Sequence, residues 1–295
     1  MRIALAGASG LIGSALAPAL ESAGHTVRRL VRREASEPGE FSWDPESFGV
    51  PDEALDGVDA VISLGGVGIG NGRWSGRFKQ ELRDSRITPT QVIAEAVRDA
   101  GVPTLISASA TGFYGDTGDR VVTEADGAGS GFLAELTTDW EKAAVDNVGD
   151  DTRLALLRTA PVLARNGGIL SRLRPLFKLG LGGTIGNGRQ YFSWISLLDE
   201  VRAITFVLES QISGPVNLCA PSAVHFATFV DALGSSVHRP TLFAVPAFAA
   251  RAVGGEMIEE MVLASQRVAP AVLTDHDFEF THPTIAAALD YANGH

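Results

Sequence analysis

The stretch AGASGLIG places Gly7, Gly10 and Gly13 directly after the apolar run RIALAG and directly before the helical pattern LIGSALAPALESAG. No other feature of the chain limits its fold as strongly. A strand that enters a helix through three glycines at G-x-x-G-x-x-G spacing needs each of them for a separate reason. The first permits the tight turn, the second lets a pyrophosphate approach the backbone, and the third lets helix and strand pack closely. The helix N-terminus then offers N–H donors and a positive dipole end to an anion. The alternative use of such glycines is a tight turn with close packing and no ligand.

The rest of the first half repeats the same unit. HTVRRLVR (25–32), DAVISLGG (59–66), TLISASA (104–110) and RLALLRTAPVL (153–163) are short apolar runs separated by helix-length segments. Such spacing predicts βαβ units and a doubly wound parallel sheet of Rossmann type, an α/β fold. The near-continuous apolar runs suit strands covered on both faces. From about residue 164 the texture changes to glycine-rich, irregular sequence, with helical patterns at 197–209, 226–233, 245–253, 256–264 and 284–292. The expected organisation is a nucleotide-binding domain over 1–165 with a return segment at about 186–212. Residues 166–185 and 213–295 would form a smaller, irregular α+β domain.

The second strand bears on which dinucleotide is held. An NAD site offers an acid about 20 residues beyond the glycines, on the ribose 2′-OH. Here no acid stands between Glu21 and Glu34, and the strand ends in Arg32 and Arg33. Two guanidinium groups there suit a 2′-phosphate, so NADP is favoured over NAD. Solvation of a strand end is the simpler use of the same arginines.

Composition narrows the partners. The chain has 295 residues, a net charge of -11 and a single cysteine. A nucleic-acid binder would show a basic face, and none is evident in this composition. Cys219, in PVNLCAP, reads as a small buried hydrophobe. No Cys/His cluster has metal-ligand spacing. No apolar run approaches the ~20 residues that cross a bilayer, and no signal-peptide pattern opens the sequence. The expectation is a cytoplasmic monomer or homodimer acting on a small molecule, with no membrane and no nucleic-acid partner.

AGASGLIG, DAVISLGG and SASATGFYGD together resemble the extended short-chain dehydrogenase/reductases, which include the NAD(P)-dependent epimerases and dehydratases. RWSGRFKQELRDSRI, FKLGLGGTIGNGRQYFSWI and GGEMIEEMVLASQRVAP resemble an atypical subgroup with a small C-terminal domain of unknown function. The resemblance implies that Gly7, Ser9, Gly10, Leu11, Ile12 and Gly13 hold the pyrophosphate and that Asp44 contacts the adenine. It implies that Leu64, Gly65 and Gly66 line the adenosine side. Arg86 stands where the wider family has an Asn near the cofactor. Ser107 and Ser109 end the fifth strand by the nicotinamide, and Pro161 follows the sixth near its carboxamide.

The same resemblance calls for a Tyr acting as acid/base and a Lys four residues later that lowers its pKa. The three tyrosines are Tyr114, Tyr191 and Tyr291, and none has a Lys at that spacing. Matching Trp140-Glu141 to the family pattern puts Leu133 at the Tyr position and Thr137 at the Lys position. Phe192 stands where sugar-nucleotide enzymes of this type place a phosphate-binding Arg, with Arg189 nearby. The remaining candidates for chemistry are Ser109, matching the family's substrate-orienting Ser, and the phenol of Tyr114. Glu135, Asp139, Gln190 and Trp194 have simpler readings as solvated or core groups. Glu256 and Arg267 read as structural groups at helix ends.

Three functions remain open. One is an NADP(H)-dependent oxidoreductase with a non-standard proton donor. The second is a nucleotide-binding or regulatory protein without turnover. The third is a nucleotide-sugar epimerase or dehydratase, which the missing Tyr and Lys disfavour.

Overall fold

The computed structural model describes residues 1–294. Its first half lays down β1 (Arg2–Ala6), α1 (Gly13–Ser22), β2 (Thr26–Val31), β3 (Glu40–Ser42), β4 (Ala60–Ser63), α2 (Gly76–Asp99), β5 (Thr104–Ala110), α3 (Phe132–Val145) and β6 (Arg153–Thr159). The second half adds α4 (Gly168–Lys178), β7 (Gly183–Ile185), α5 (Leu197–Glu209), β8 (Gly214–Leu218), α6 (Phe226–Ser236), β9 (Phe243–Val245), α7 (Ala247–Ile258) and α8 (Ile285–Asn293). Short helical turns and two-residue strands connect them.

Seven strands form one sheet in the order β8-β6-β5-β4-β1-β2-β3. The pairs β1–β2, β1–β4, β2–β3 and β4–β5 are all parallel. β1 therefore lies inside the sheet, between β2 and β4, and the crossovers on either side of it are helical. Its side chains Ile3, Ala4, Leu5 and Ala6 are fully buried, as an interior parallel strand requires. Rossmann-type α/β architecture is thus what the chain adopts.

The sequence pattern placed residues 213–295 in a separate irregular domain, but Gly214–Leu218 is the end strand of the main sheet. Its GPVNL sequence hides it. Pro215 removes a donor, which a sheet tolerates at an edge but not in its middle. The β3 segment and the β7–β9 pair were also not legible, because three residues are too few for a period-2 signal.

The chain divides into two compact units. One comprises residues 1–109, 136–157 and 201–216, and the other 110–135, 158–200 and 217–295. The first has a core of Leu30, Trp43, Leu55, Val61, Ile93 and Leu105, among others, beneath α2. The second has a core built on Phe192, Trp194, Phe226, Phe229 and Leu289. These bounds run differently from the expected 1–165 and 186–212. No helix of the described residues is long and apolar enough to cross a membrane.

Candidate cofactor site and proton-handling residues

In the first unit the glycine loop is built so that side chains are excluded. Gly7 has φ +85, and a Cβ there would lie 2.9 Å from the Leu64 carbonyl carbon and oxygen. A Cβ at Gly13 would lie 2.2 Å from the Gly7 oxygen. No residue but glycine fits either position without moving backbone. The loop is pinned from within, since the Gly10 N–H donates to the Gly7 oxygen at 3.0 Å and the Ser14 N–H to the Gly10 oxygen at 2.9 Å. The N–H groups of Leu11 and Ile12 donate to no other described residue. They stand at the head of α1, where a pyrophosphate fits.

Arg32 follows the end of β2 and reaches the turn after β4. Its guanidinium would be 3.9 Å from a Cβ on Gly65, and its Cζ lies 5.6 Å from the ring centre of Trp43. It lines a cleft of about 570 Å³ that also takes in Arg77, Glu46, Val67 and Ser85. Arg33 points elsewhere. Its NH1 donates to Glu40 Oε2 at 2.8 Å and its NH2 to Glu40 Oε1. Of the two arginines at the strand end, Arg32 is the one in the cleft. Arg77, from the first turn of α2, was not singled out from the sequence. It lies 45 positions away, and only the fold brings it to the same cleft.

Asp44 sits beside that cleft's Pro45 and Glu46. Its Oδ1 accepts from the Glu46 N–H at 2.9 Å, and its backbone bridges Gly49. Leu64, Gly65 and Gly66 follow β4, and Arg86 fixes the turn they begin. The Arg86 NH2 donates to the Val67 oxygen at 2.9 Å and its NH1 to the Leu82 oxygen at 3.1 Å. Its Cζ lies 5.2 Å from the Trp140 ring centre. The side chain is buried, and that burial lowers its pKa to about 10. Arg86 is still cationic at neutral pH, but its donors serve the backbone of the loop at Val67 and of α2 at Leu82.

Ser107 and Ser109 both point out of β5 into buried surroundings. The Ser107 Oγ has no partner among the described residues. The Ser109 Oγ donates to Glu141 Oε1 at 2.6 Å. Glu141, on α3, is itself buried. A hydroxyl held by a buried carboxylate can pass a proton to it, and in the sequence Glu141 stands out only as part of the Trp140-Glu141 pair that sets the register of Leu133 and Thr137. Thr137, one helical turn before it, is buried. Asp139, on the same helix, pairs with Arg83 on the surface.

The second unit holds the remaining sequence candidates. The Tyr114 hydroxyl donates to Asn217 Oδ1 at 2.7 Å and accepts from Arg158 NH1 at 2.9 Å. Burial pushes its pKa up to about 12, against the lowering effect of Arg158. Both sides of the phenol are thus engaged in the core. The Pro161 carbonyl accepts from the Ile195 N–H at 3.2 Å, joining two short strands. Leu133 is buried, and its N–H donates to Glu260 Oε2 at 2.7 Å while the Phe132 N–H donates to Oε1 at 2.7 Å. The Glu260 carboxylate therefore caps α3. Nothing in the sequence pattern singled it out, 127 positions from Leu133.

Phe192 is buried, 4.6 Å from the Phe229 ring centre, and its apolar ring offers no donor to a phosphate. Arg189 lines a cavity of about 660 Å³ together with Arg251, Asp116, Asp119 and Gln190. Gln190 is spent on structure, with its Nε2 donating to the Ile185 and Val262 oxygens. Arg267 donates to the Asp119 oxygen and stacks over Tyr191 at 4.5 Å. No group of three or more His, Cys, Asp or Glu among the described residues is arranged to hold a metal ion.

Comparison with known proteins agrees with this architecture. Residues 245–292 match a domain of unknown function, and residues 3–219 match the NAD dependent epimerase/dehydratase family. The epimerase family protein Mb2239 of Mycobacterium bovis is 54% identical over 98% of this chain and 97% of its own. The crystal structure of human epimerase family protein SDR39U1 with NADPH superposes with a TM-score of 0.91 at 31% identity, over 100% of this chain and 99% of that one. A nucleoside-diphosphate sugar epimerase from Corynebacterium glutamicum superposes with a TM-score of 0.81 at 36% identity, over 100% of this chain but 58% of that one. On its sequence match and its fold alike, the chain belongs to the NAD dependent epimerase/dehydratase family.

Proposed function

We propose that this protein binds NADP(H) and acts as an oxidoreductase on a small substrate, with Ser109 and Glu141 handling the proton. The observation that carries the cofactor assignment is the position of Arg32, whose guanidinium stands by Gly65 in the turn that Gly7 packs against, with Arg77 lining the same cleft as Arg32. Arg32 and Arg77 can pair with a 2′-phosphate in a cleft that Glu46, Glu81 and Asp84 also line. The human relative crystallised with NADPH supports the same choice. The head of α1 supports a pyrophosphate, because the N–H groups of Leu11 and Ile12 donate to no other described residue.

Bound NADP(H) supplies hydride chemistry, so the protein has only to orient the partners and move one proton. Ser109 and Glu141 are arranged for that step. In alcohol oxidation the substrate hydroxyl proton passes to the Ser109 Oγ as the Ser109 proton passes to Glu141 Oε1. In carbonyl reduction the same two protons travel back. No lysine is needed to lower a phenol pKa, because no phenol takes part. Tyr114 is left out of the chemistry, since its hydroxyl is doubly held and its pKa is about 12.

A second reading is favoured by one observation. At the position of the family tyrosine, Leu133 is buried, and the helix beginning there is capped by Glu260. A protein that kept the cofactor loop and lost turnover would carry such a residue. Screening NADPH consumption against a panel of aldehydes, ketones and quinones separates the two. Turnover that Ser109→Ala removes supports the oxidoreductase. Tight NADPH binding with no turnover on any of them supports the regulatory reading.

A further inference from the structure

The two arginines that follow β2 meet different partners. Arg33 forms an ion pair with Glu40. The Arg32 guanidinium makes no hydrogen bond or ion pair with any described residue. What it meets is the indole of Trp43, with the Arg32 Cζ over the ring at 5.6 Å from its centre. Glu46, Glu81 and Asp84 line the same cleft, and none of them holds Arg32. A cation within about 6 Å of a tryptophan face is drawn to it by the ring quadrupole.

The register of the sheet puts the indole there. β2 and β3 run parallel, with Arg29 opposite Glu40, Leu30 opposite Phe41 and Val31 opposite Ser42. The ladder goes one step further, since the Trp43 N–H donates to the Val31 oxygen at 3.0 Å. Trp43 therefore stands beside Arg32 at the end of the edge strand. It is 4% exposed and belongs to the core of the first unit with Leu30, Leu55, Val58 and Ile93. A ring packed in this way is a fixed platform under a side chain that is itself exposed. The Arg28 Cζ lies over Phe41 in the same manner, 5.5 Å from the ring centre. That guanidinium also donates to the Glu53 and Ala54 oxygens. Arg28 thus spends donors on backbone, whereas Arg32 keeps its own free.

We propose that Trp43 is the positioning residue for the 2′-phosphate of NADP(H), holding Arg32 in place before the cofactor arrives and so setting the discrimination against NAD(H). Fixing a mobile arginine on a phosphate costs side-chain entropy. A ring that already holds the guanidinium removes part of that cost in advance. Cation–π attraction uses the charge and the ring face, so the N–H groups stay available to phosphate oxygens. NADH carries a hydroxyl in place of the phosphate and gains nothing from a fixed Arg32. Trp43 therefore acts on one cofactor and not the other, and it acts through Arg32. The proposal rests on Arg32 as the group that selects NADP(H).

Calorimetric titration of NADPH and NADH into the wild-type protein, Trp43→Leu, Trp43→Phe and Arg32→Ala tests this. The quantity read is the ratio of the two affinities, which a merely structural role would leave alone. Trp43→Leu removes the ring and should lower the preference for NADPH about fivefold, with NADH affinity within about twofold of wild type. Trp43→Phe keeps a weaker ring and should lower the preference about twofold. In the Arg32→Ala background Trp43→Phe should change the ratio no further. Where Trp43→Leu does not fold, Trp43→Phe and its combination with Arg32→Ala carry the test. An unchanged ratio in the Trp43 variants overturns the proposal, as does an equal loss of both cofactors. If Arg32→Ala abolishes the preference and the Trp43 variants keep it, the role of Trp43 alone fails. If Arg32→Ala keeps the wild-type ratio, the assignment of Arg32 fails, and the role of Trp43 with it.

Discussion

The Ser109 Oγ donates a 2.6 Å hydrogen bond to Oε1 of Glu141, and both side chains are buried. This pair lies on β5 and α3, the elements that carry the acid/base machinery in the wider family. Any carbonyl reduced by the wild-type protein should be reduced at least about 10²-fold more slowly by Ser109→Ala, and Glu141→Gln should lose a similar factor, since a positioned acid contributes 10²–10⁴-fold. NADPH affinity should be unchanged in both. Steady-state NADPH consumption checks this, and unchanged rates would remove Ser109 from the mechanism.

Tyr114 should behave in the opposite way. Tyr114→Phe strands Asn217 and Arg158, each of which loses its bond to the phenol oxygen. The cost should be about 1–3 kcal/mol of stability. The rate per folded molecule should stay near wild type. Urea unfolding and turnover measured on the same preparation separate the two effects, and a rate loss like that of Ser109→Ala would return Tyr114 to the chemistry.

Gly13→Ala places a methyl 2.2 Å from the Gly7 oxygen. The loop must move, and the N–H groups of Leu11 and Ile12 move with it. NADPH should bind more than about tenfold more weakly, in line with the loss of a pre-organised anion cradle. Fluorescence titration reads this directly. Wild-type affinity in Gly13→Ala would show that the pyrophosphate lies elsewhere.

Glu200 is fully buried. Its Oε1 accepts from the Thr159 Oγ1 at 2.9 Å, and its Oε2 has no partner among the described residues. Burial raises its pKa to about 8 from the ordinary 4.5. A carboxyl with a raised folded-state pKa binds its proton more tightly in the folded chain. Its contribution to stability is therefore complete below about pH 4.5 and is lost as pH rises through 8. Glu200→Gln stays neutral throughout. Its stability relative to wild type should rise between pH 5 and pH 9, by roughly 4 kcal/mol in all. Urea midpoints at the two pH values test it, and a constant difference would show that Glu200 is not buried as an acid.

The parts of this protein legible in sequence are those where one residue type is physically required. Gly7 and Gly13 could be read because only glycine fits so near another backbone. The interior strand β1 could be read because both its faces are covered. The proposed NADP preference was drawn from Arg32 and Arg33 together, and of the two Arg33 belongs to a surface pair with Glu40. What was not legible depends on distant partners. Glu141 meets Ser109 across 32 positions, Glu260 caps Leu133 across 127, and Arg77 reaches the cleft of Arg32 only through the fold. The edge strand Gly214–Leu218 was hidden by its glycine and proline, residues that count against a strand wherever it must pair on both sides.

The central claim is that Arg32 selects NADP(H). Titration of NADPH and NADH into the wild-type protein and Arg32→Ala, followed by intrinsic fluorescence, tests it most directly. Wild type should bind NADPH at least about tenfold more tightly than NADH, the scale of one charge-assisted contact to phosphate. Arg32→Ala should lose most of that preference by weakening NADPH alone. Equal or reversed affinities in wild type, or a preference that survives Arg32→Ala intact, would contradict the account.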